Sequence, residues 1–133
     1  IVFFWTQGRW LARWSATAWL VIAAAASVLR FGAIAGFGGI AAVLVLAQTL
    51  HALTFAAQHA ACITLIDKHF AGALRGRGQA LYTTLGYGLS GGIGGLAGGA
   101  ISECFGLPAV FAAAAVVSVA ALACCWRSHR LSA

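Results

Sequence analysis

The chain has 133 residues, of which 62% are hydrophobic and only 8% charged, and its mean hydropathy is +0.96. A soluble domain cannot hide that much apolar surface, so the composition excludes one and makes the bilayer the solvent. The formal net charge of +6 would suit a nucleic-acid partner in a soluble protein, but here the basic residues come in short bursts between apolar stretches of helix length. They report orientation in a membrane, and no nucleic-acid partner is expected.

Ile1 to Trp5 is an apolar stub, far short of the roughly 20 residues that span hydrocarbon. It lacks the basic start and cleavage site of a leader, so it is expected to be the end (residues 1–5) of a transmembrane helix that begins upstream. A polar segment from Thr6 to Ser15 leads into a first apolar run, about 16–35, closed by Gly36, Gly38 and Gly39. The second run, about 38–66, is longer than hydrocarbon thickness requires and should tilt, bend or project. Asp67 to Gly78 is the most polar connection and carries Lys68, His69, Arg75 and Arg77. The third run, about 79–105, is rich in glycine, and the fourth, about 107–126, has Pro108 in its first turn and a short basic tail after it. These segments predict an all-α membrane protein with about four transmembrane helices.

Cytoplasmic connections collect Lys and Arg, and the charges alternate as that rule requires. Arg9 and Arg13 precede the first helix, Lys68, Arg75 and Arg77 join the second to the third, and Arg127 and Arg130 follow the fourth. The opposite connections hold no basic residue, and Glu103 is the one charge near the third turn. Both ends are therefore expected on the cytoplasmic side of a multi-pass protein in the cell inner membrane.

The second helix has the densest polar content at membrane depth: Gln48, His51, Thr54, Gln58, His59 and Cys62. At 3.6 residues per turn these fall within an arc of about 140°, with Phe55 in its middle. A polar stripe in lipid is costly unless it faces protein or a water-filled cavity, which makes Gln48, His51, Gln58 and His59 candidates for binding a solute or a proton. Histidine titrates near neutral pH; the alternative is that these groups hydrogen-bond across helices as structural glue. Arg30, inside the first helix, either snorkels to the interface or pairs as a buried cation with an anionic solute or a carboxylate from elsewhere. Asp67 and Lys68 read as solvated loop charges, and Glu103 as an interfacial carboxylate.

In the third helix Gly86, Gly88 and Gly91 satisfy G-x-G-x-x-G by letter, but no strand precedes them and glycine simply continues. Gly88 with Gly92, Gly91 with Gly95, and Gly95 with Gly99 are small-xxx-small pairs that favour close helix packing. Cys62, Cys104, Cys124 and Cys125 lack metal-ligand spacing and read as small apolar fillers. No metal site or cofactor is expected.

Four features together resemble the C-terminal half of a major facilitator superfamily transporter, from the end of its eighth helix through its twelfth, nearest the phenylpropionate-permease-like branch. They are Gly8-Arg9-x-x-x-Arg13-Trp14, similar to the superfamily's cytoplasmic loop signature; Arg30; Leu50-His51-x-x-x-Phe55-x-x-x-His59; and Gln79-x-x-Tyr82 leading into the glycine-rich helix. The resemblance implies that the second and third helices here contribute to the cavity and its gating, with the first and fourth outside. It implies proton-driven symport of a small organic solute, aromatic-acid-like, with protons, the lipid bilayer and the N-terminal half of the same transporter as partners.

A complete four-helix multidrug-type exporter acting as a dimer is the alternative, although it would be expected to carry a membrane-embedded carboxylate in an early helix, and this first helix has none. A membrane enzyme or haem protein is a weaker reading still. His51 and His59 share one helix, and a Ser/His or metal site lacks partners, so no enzyme is expected.

Overall fold

A computed structural model describes residues 13–132. Five α-helices follow one another: α1 Ala16–Phe37, α2 Ala41–His69, α3 Arg75–Thr83, α4 Ser90–Phe105 and α5 Leu107–Ser132, with no strand among the described residues. A 3-10 turn at Gly72–Leu74 precedes α3, and a π-helical turn at Thr84–Leu89 joins α3 to α4 without a break. Among the described residues three helices, α1, α2 and α5, are long and apolar enough to cross a membrane. The stub at residues 1–5 and Arg9 of the loop signature lie outside the described residues.

The helix boundaries have local causes. Ser15 caps α1, its Oγ accepting the amide of Ala18 at 3.2 Å. Gly38 and Gly39 belong to the turn rather than to α2: the Ile40 amide donates to the Phe37 carbonyl at 3.0 Å, and a Cβ on Gly38 would lie 2.6 Å from the Ile34 carbonyl oxygen. α2 continues to His69 instead of stopping near Ile66, with Lys68 and His69 in its last turn, where cations favour the helix C-terminus. Its 29 residues measure about 44 Å against roughly 30 Å of hydrocarbon, so one end must project or the helix must tilt. α5 likewise runs to Ser132, and the expected basic tail is its last turns. The third apolar run begins at Arg75, and the π-helical turn divides it.

The packed core is α1 between α2 and α5. At one end of α1 the hydroxyl of Thr17 lies 2.9 Å from His129 Nδ1, with Ser132 Oγ donating to Thr17 at 3.4 Å. Near the other end Phe31 and Phe111 stack at 6.5 Å between centroids. The buried residues are small, chiefly Ala23, Ala47, Ala56, Ala57 and Ala61, so the helices approach closely without large interdigitating side chains. Leu29, Leu46, Leu96 and Val116 point outward, as expected where lipid replaces water.

The α3–α4 helix leans on this core at its two ends. At the start, Gly78 is buried against Phe70 and Ile66; towards the finish, a Cβ on Gly98 would lie 3.6 Å from Val110. Gly106, at φ +80° and ψ 171°, turns the chain from α4 into α5. At the α2–α3 corner Arg75 forks onto Asp67, Nε to Oδ1 at 2.6 Å and Nη2 to Oδ2 at 2.9 Å. Both side chains are exposed, so screening leaves the pair worth about 1 kcal/mol or less. Asp67→Asn is therefore expected to leave the thermal midpoint of the full-length protein within a few degrees of wild type, measured by fluorescence-detected unfolding.

Candidate functional site

The polar face of α2 is divided among three surroundings. His51, Phe55 and Gln58 line a cavity of about 320 Å³ where α1, α2 and α5 meet at mid-length, so the first and fourth apolar segments, expected outside a cavity, wall this one, and the glycine-rich third run does not. From α1 come Leu20, Ala24, Ser27, Arg30 and Phe31; from α5 come Val117, Ser118, Ala121 and Cys125. Most of the wall is apolar, and three of its hydroxyls are already engaged by their own helices. Ser27 donates to the Ala23 carbonyl at 2.9 Å, Thr54 to His51 at 3.1 Å, and Ser118 to Ala114 at 2.8 Å. In that role a hydroxyl is satisfied locally and adds little polarity to the cavity.

Arg30 is different. Its Nε is buried without a hydrogen-bond partner, while its guanidinium carbon sits 4.2 Å from the centroid of the neighbouring Phe31 ring. Cation–π contact offsets part of the desolvation of a guanidinium but supplies no acceptor to its N–H groups. The chain has two acidic residues in all; Asp67 pairs with Arg75, and Glu103 sits exposed near the end of α4. Arg30, His51 and Gln58 are thus the groups of this cavity left to recognise something polar.

His59 faces the other way, into a joint between α2 and the π-helical turn. Its Nδ1 lies 3.3 Å from both the Tyr82 and the Tyr87 hydroxyls, which are 3.0 Å from each other, so the three heteroatoms form a closed triangle. Phe55 stacks on the His59 ring at 6.3 Å with 5° between planes, and also reaches Tyr87 at 6.1 Å. His51 meets Phe55 at 6.0 Å, so one run of rings links the cavity to the joint. Two residues five apart on a regular α-helix point about 140° away from each other. The wider turn at Thr84–Leu89, in which Ser90 Oγ donates to the Leu85 carbonyl at 2.8 Å, brings Tyr82 and Tyr87 together instead. Such π-helical insertions concentrate at functional sites.

The structure therefore brings Arg30, His51 and Gln58 around one cavity, sets His59 beside it with Tyr82 and Tyr87, and leaves Gln48 in a separate open recess with Leu44, Val45, Thr49 and Ala52. Tyr87 is the residue that sequence reasoning passed over; its signal was a second tyrosine, five positions after Tyr82, within a glycine-rich stretch. Of the packing glycines, Gly88 lies in the π-helical turn, while at Gly91, Gly92, Gly95 and Gly99 a Cβ would have no described atom within 4 Å. That stripe is open within the described residues.

Comparison with protein-family models gives a match to the MFS_1 like family over residues 1–113. No curated protein and no solved structure matches the chain.

Proposed function

The chain belongs to the MFS_1 like family, whose major-facilitator-like members point to membrane transport rather than catalysis, and from that premise we propose that it forms the C-terminal part of a proton-coupled secondary transporter for a small organic solute. The observation that carries this reading is the mid-length cavity with Arg30, His51 and Gln58 on its wall. Solute sites of secondary transporters lie near the bilayer midplane, where unpaired polar groups would otherwise be too costly to keep. In this reading the α3–α4 helix is a fourth span, α2 lines the pathway, and the open stripe at Gly91, Gly95 and Gly99 packs against a helix of the transporter's remaining portion. The alternation of basic residues supports a reading in which both ends of the chain lie on the cytoplasmic face of the inner membrane.

His51 or His59 carries the proton in this reading; His59 Nδ1 lies 3.3 Å from two phenols, one of which can donate to a bare nitrogen or accept from a protonated one. The test replaces His51 and His59 with glutamine, singly and together, in the full-length protein, using a solute found by screening organic acids, nucleosides and sugars. Replacing the carrier should lower gradient-driven accumulation about tenfold or more while solute exchange persists, because glutamine keeps hydrogen bonding and removes titration. Normal accumulation by both single variants and the double variant across the pH range would remove the histidines from coupling.

A further inference from the structure

The wider turn between α3 and α4 is fastened by a neighbouring helix rather than by its own sequence. We infer that it is a clamped register shift. While the triangle of His59, Tyr82 and Tyr87 is closed the turn stays π-helical; when the triangle opens, α3–α4 becomes one continuous α-helix in which α4 is turned about 100° against α3.

The first support is the register of the hydroxyls. Ser27, Thr49, Thr64, Thr83 and Ser118 each donate to the carbonyl four residues back, as such side chains do in a regular α-helix. Ser90 instead donates to Leu85, five residues back, at 2.8 Å, a carbonyl that the wider turn brings beneath it.

The second is the clamp itself. The Tyr82 and Tyr87 rings meet edge to face at 5.4 Å and 78°, although a regular helix would point them about 140° apart. The groups that hold them in this pairing come from α2: His59 Nδ1 reaches both hydroxyls, and Phe55 packs on Tyr87 at 6.1 Å and on His59 at 6.3 Å. The third is that the backbone does not oppose a return to α. Thr83 at φ −68°, ψ −45° and Leu89 at φ −65°, ψ −47° already have ordinary helical angles, and Gly86 and Gly88 bring no side chain to repack.

A turn closed by i→i+5 bonds holds one residue more than an α-helical turn. Its conversion therefore rotates everything beyond it by one residue and shifts it by about 1.5 Å along the axis. Relative to α3, Ala97 takes the place of Gly98, where a Cβ would lie 3.6 Å from Val110, and the stripe of Gly91, Gly95 and Gly99 is turned toward a different neighbour.

Spin labels at Leu81→Cys on α3 and Ile93→Cys on α4, both exposed among the described residues, read this register by pulsed electron resonance. The protein is the full-length chain in lipid nanodiscs, with its other cysteines replaced. Twelve positions apart in sequence, the two sites lie roughly 120° apart around a regular α-helix but about 20° apart across the wider turn, which brings the labels about 4 Å closer. The labelled protein should show the short distance. Tyr82→Phe combined with Tyr87→Phe should lengthen it by about 4 Å, and so should His59→Leu, which leaves the sequence of α3–α4 untouched. Deleting Gly88 from the double phenylalanine variant removes the extra residue and should bring the short distance back. The long distance in protein with all three clamp residues intact overturns the inference without any further variant having to fold. A short distance that persists in the double phenylalanine variant overturns it as well.

Discussion

Gly78→Leu is expected to leave little folded protein in the membrane, whereas Gly76→Leu two positions earlier should be nearly silent. A Cβ on Gly78 would lie 2.7 Å from Phe70 Cγ, 2.9 Å from Phe70 Cδ2 and 3.0 Å from Ile66 Cγ2. Nothing lies within 4 Å of a Cβ on Gly76. The Phe70 ring occupies the contact where the end of α2 meets the start of α3, and a leucine there must displace it or push the helices apart. Overpacking of that kind costs about 1–3 kcal/mol, and more when the displaced group is a ring in a close contact. Gly78→Ala should already show part of the loss. Detergent-solubilised yield and monodispersity on size exclusion measure it, and equal yields for the Gly76 and Gly78 leucine variants would mean that this contact is absent from the folded protein.

Gly106→Ala should produce the second large loss, through the backbone rather than through contact. At φ +80° and ψ 171° Gly106 holds a conformation that is open essentially to glycine alone, and a Cβ there costs about 1–3 kcal/mol. The space itself is adequate, since the nearest described atom is Pro108 Cδ at 3.8 Å. The strain falls on the turn that starts α5 antiparallel to α4, so the expected result is a thermal midpoint several degrees lower, with solute binding per folded molecule preserved. Gly39→Ala is the control, because its Cβ meets no described atom within 4 Å and its φ is unremarkable. A Gly106→Ala midpoint equal to that of Gly39→Ala would show that this turn relaxes.

Of the four long apolar segments expected from the sequence, three are helices long and apolar enough to cross a membrane among the described residues, because hydrocarbon thickness sets a length that composition can be measured against, while the glycine-rich third run is divided by the π-helical turn. Their ends were less legible. Charge at Asp67 and Arg127 lowers hydropathy but does not stop a helix, since cations suit a helix C-terminus and backbone hydrogen bonding continues to His69 and Ser132. The turn at Gly38 and Gly39 was legible as glycine, and a Cβ on Gly38 would lie 2.6 Å from the Ile34 carbonyl oxygen, which disfavours a side chain there.

The polar arc of α2 was likewise visible as a periodicity, whereas its division was not. Helical spacing places His51 and His59 on one face, yet His51 borders the cavity and His59 the joint, because the neighbours on the two sides differ. Arg30 stood out as an intramembrane cation; that His51 and Gln58 join it around one space is a fact of tertiary packing. Tyr87 was hidden for a different reason. A helical wheel drawn at 3.6 residues per turn separates it from Tyr82, and the π-helical turn that reunites them leaves no mark in composition.

The triangle of His59 Nδ1 and the two phenol oxygens has three edges but not three usable hydrogens. With Nδ1 bare, the two hydroxyl hydrogens fill two edges: one phenol donates to the other, which donates to the ring nitrogen, and the third edge sets lone pair against lone pair. With a hydrogen on Nδ1 the order reverses. The nitrogen donates to one phenol, that phenol donates to the second, and the second phenol's hydrogen has no acceptor left inside the triangle, because the nitrogen's lone pair is taken. It must turn outward. A hydrogen on Nδ1 thus turns outward, at one of the two tyrosines, a hydroxyl donor that is engaged inside the triangle when Nδ1 is bare. Whether Nδ1 carries a hydrogen thereby decides which way a phenol hydroxyl 3.3 Å away points.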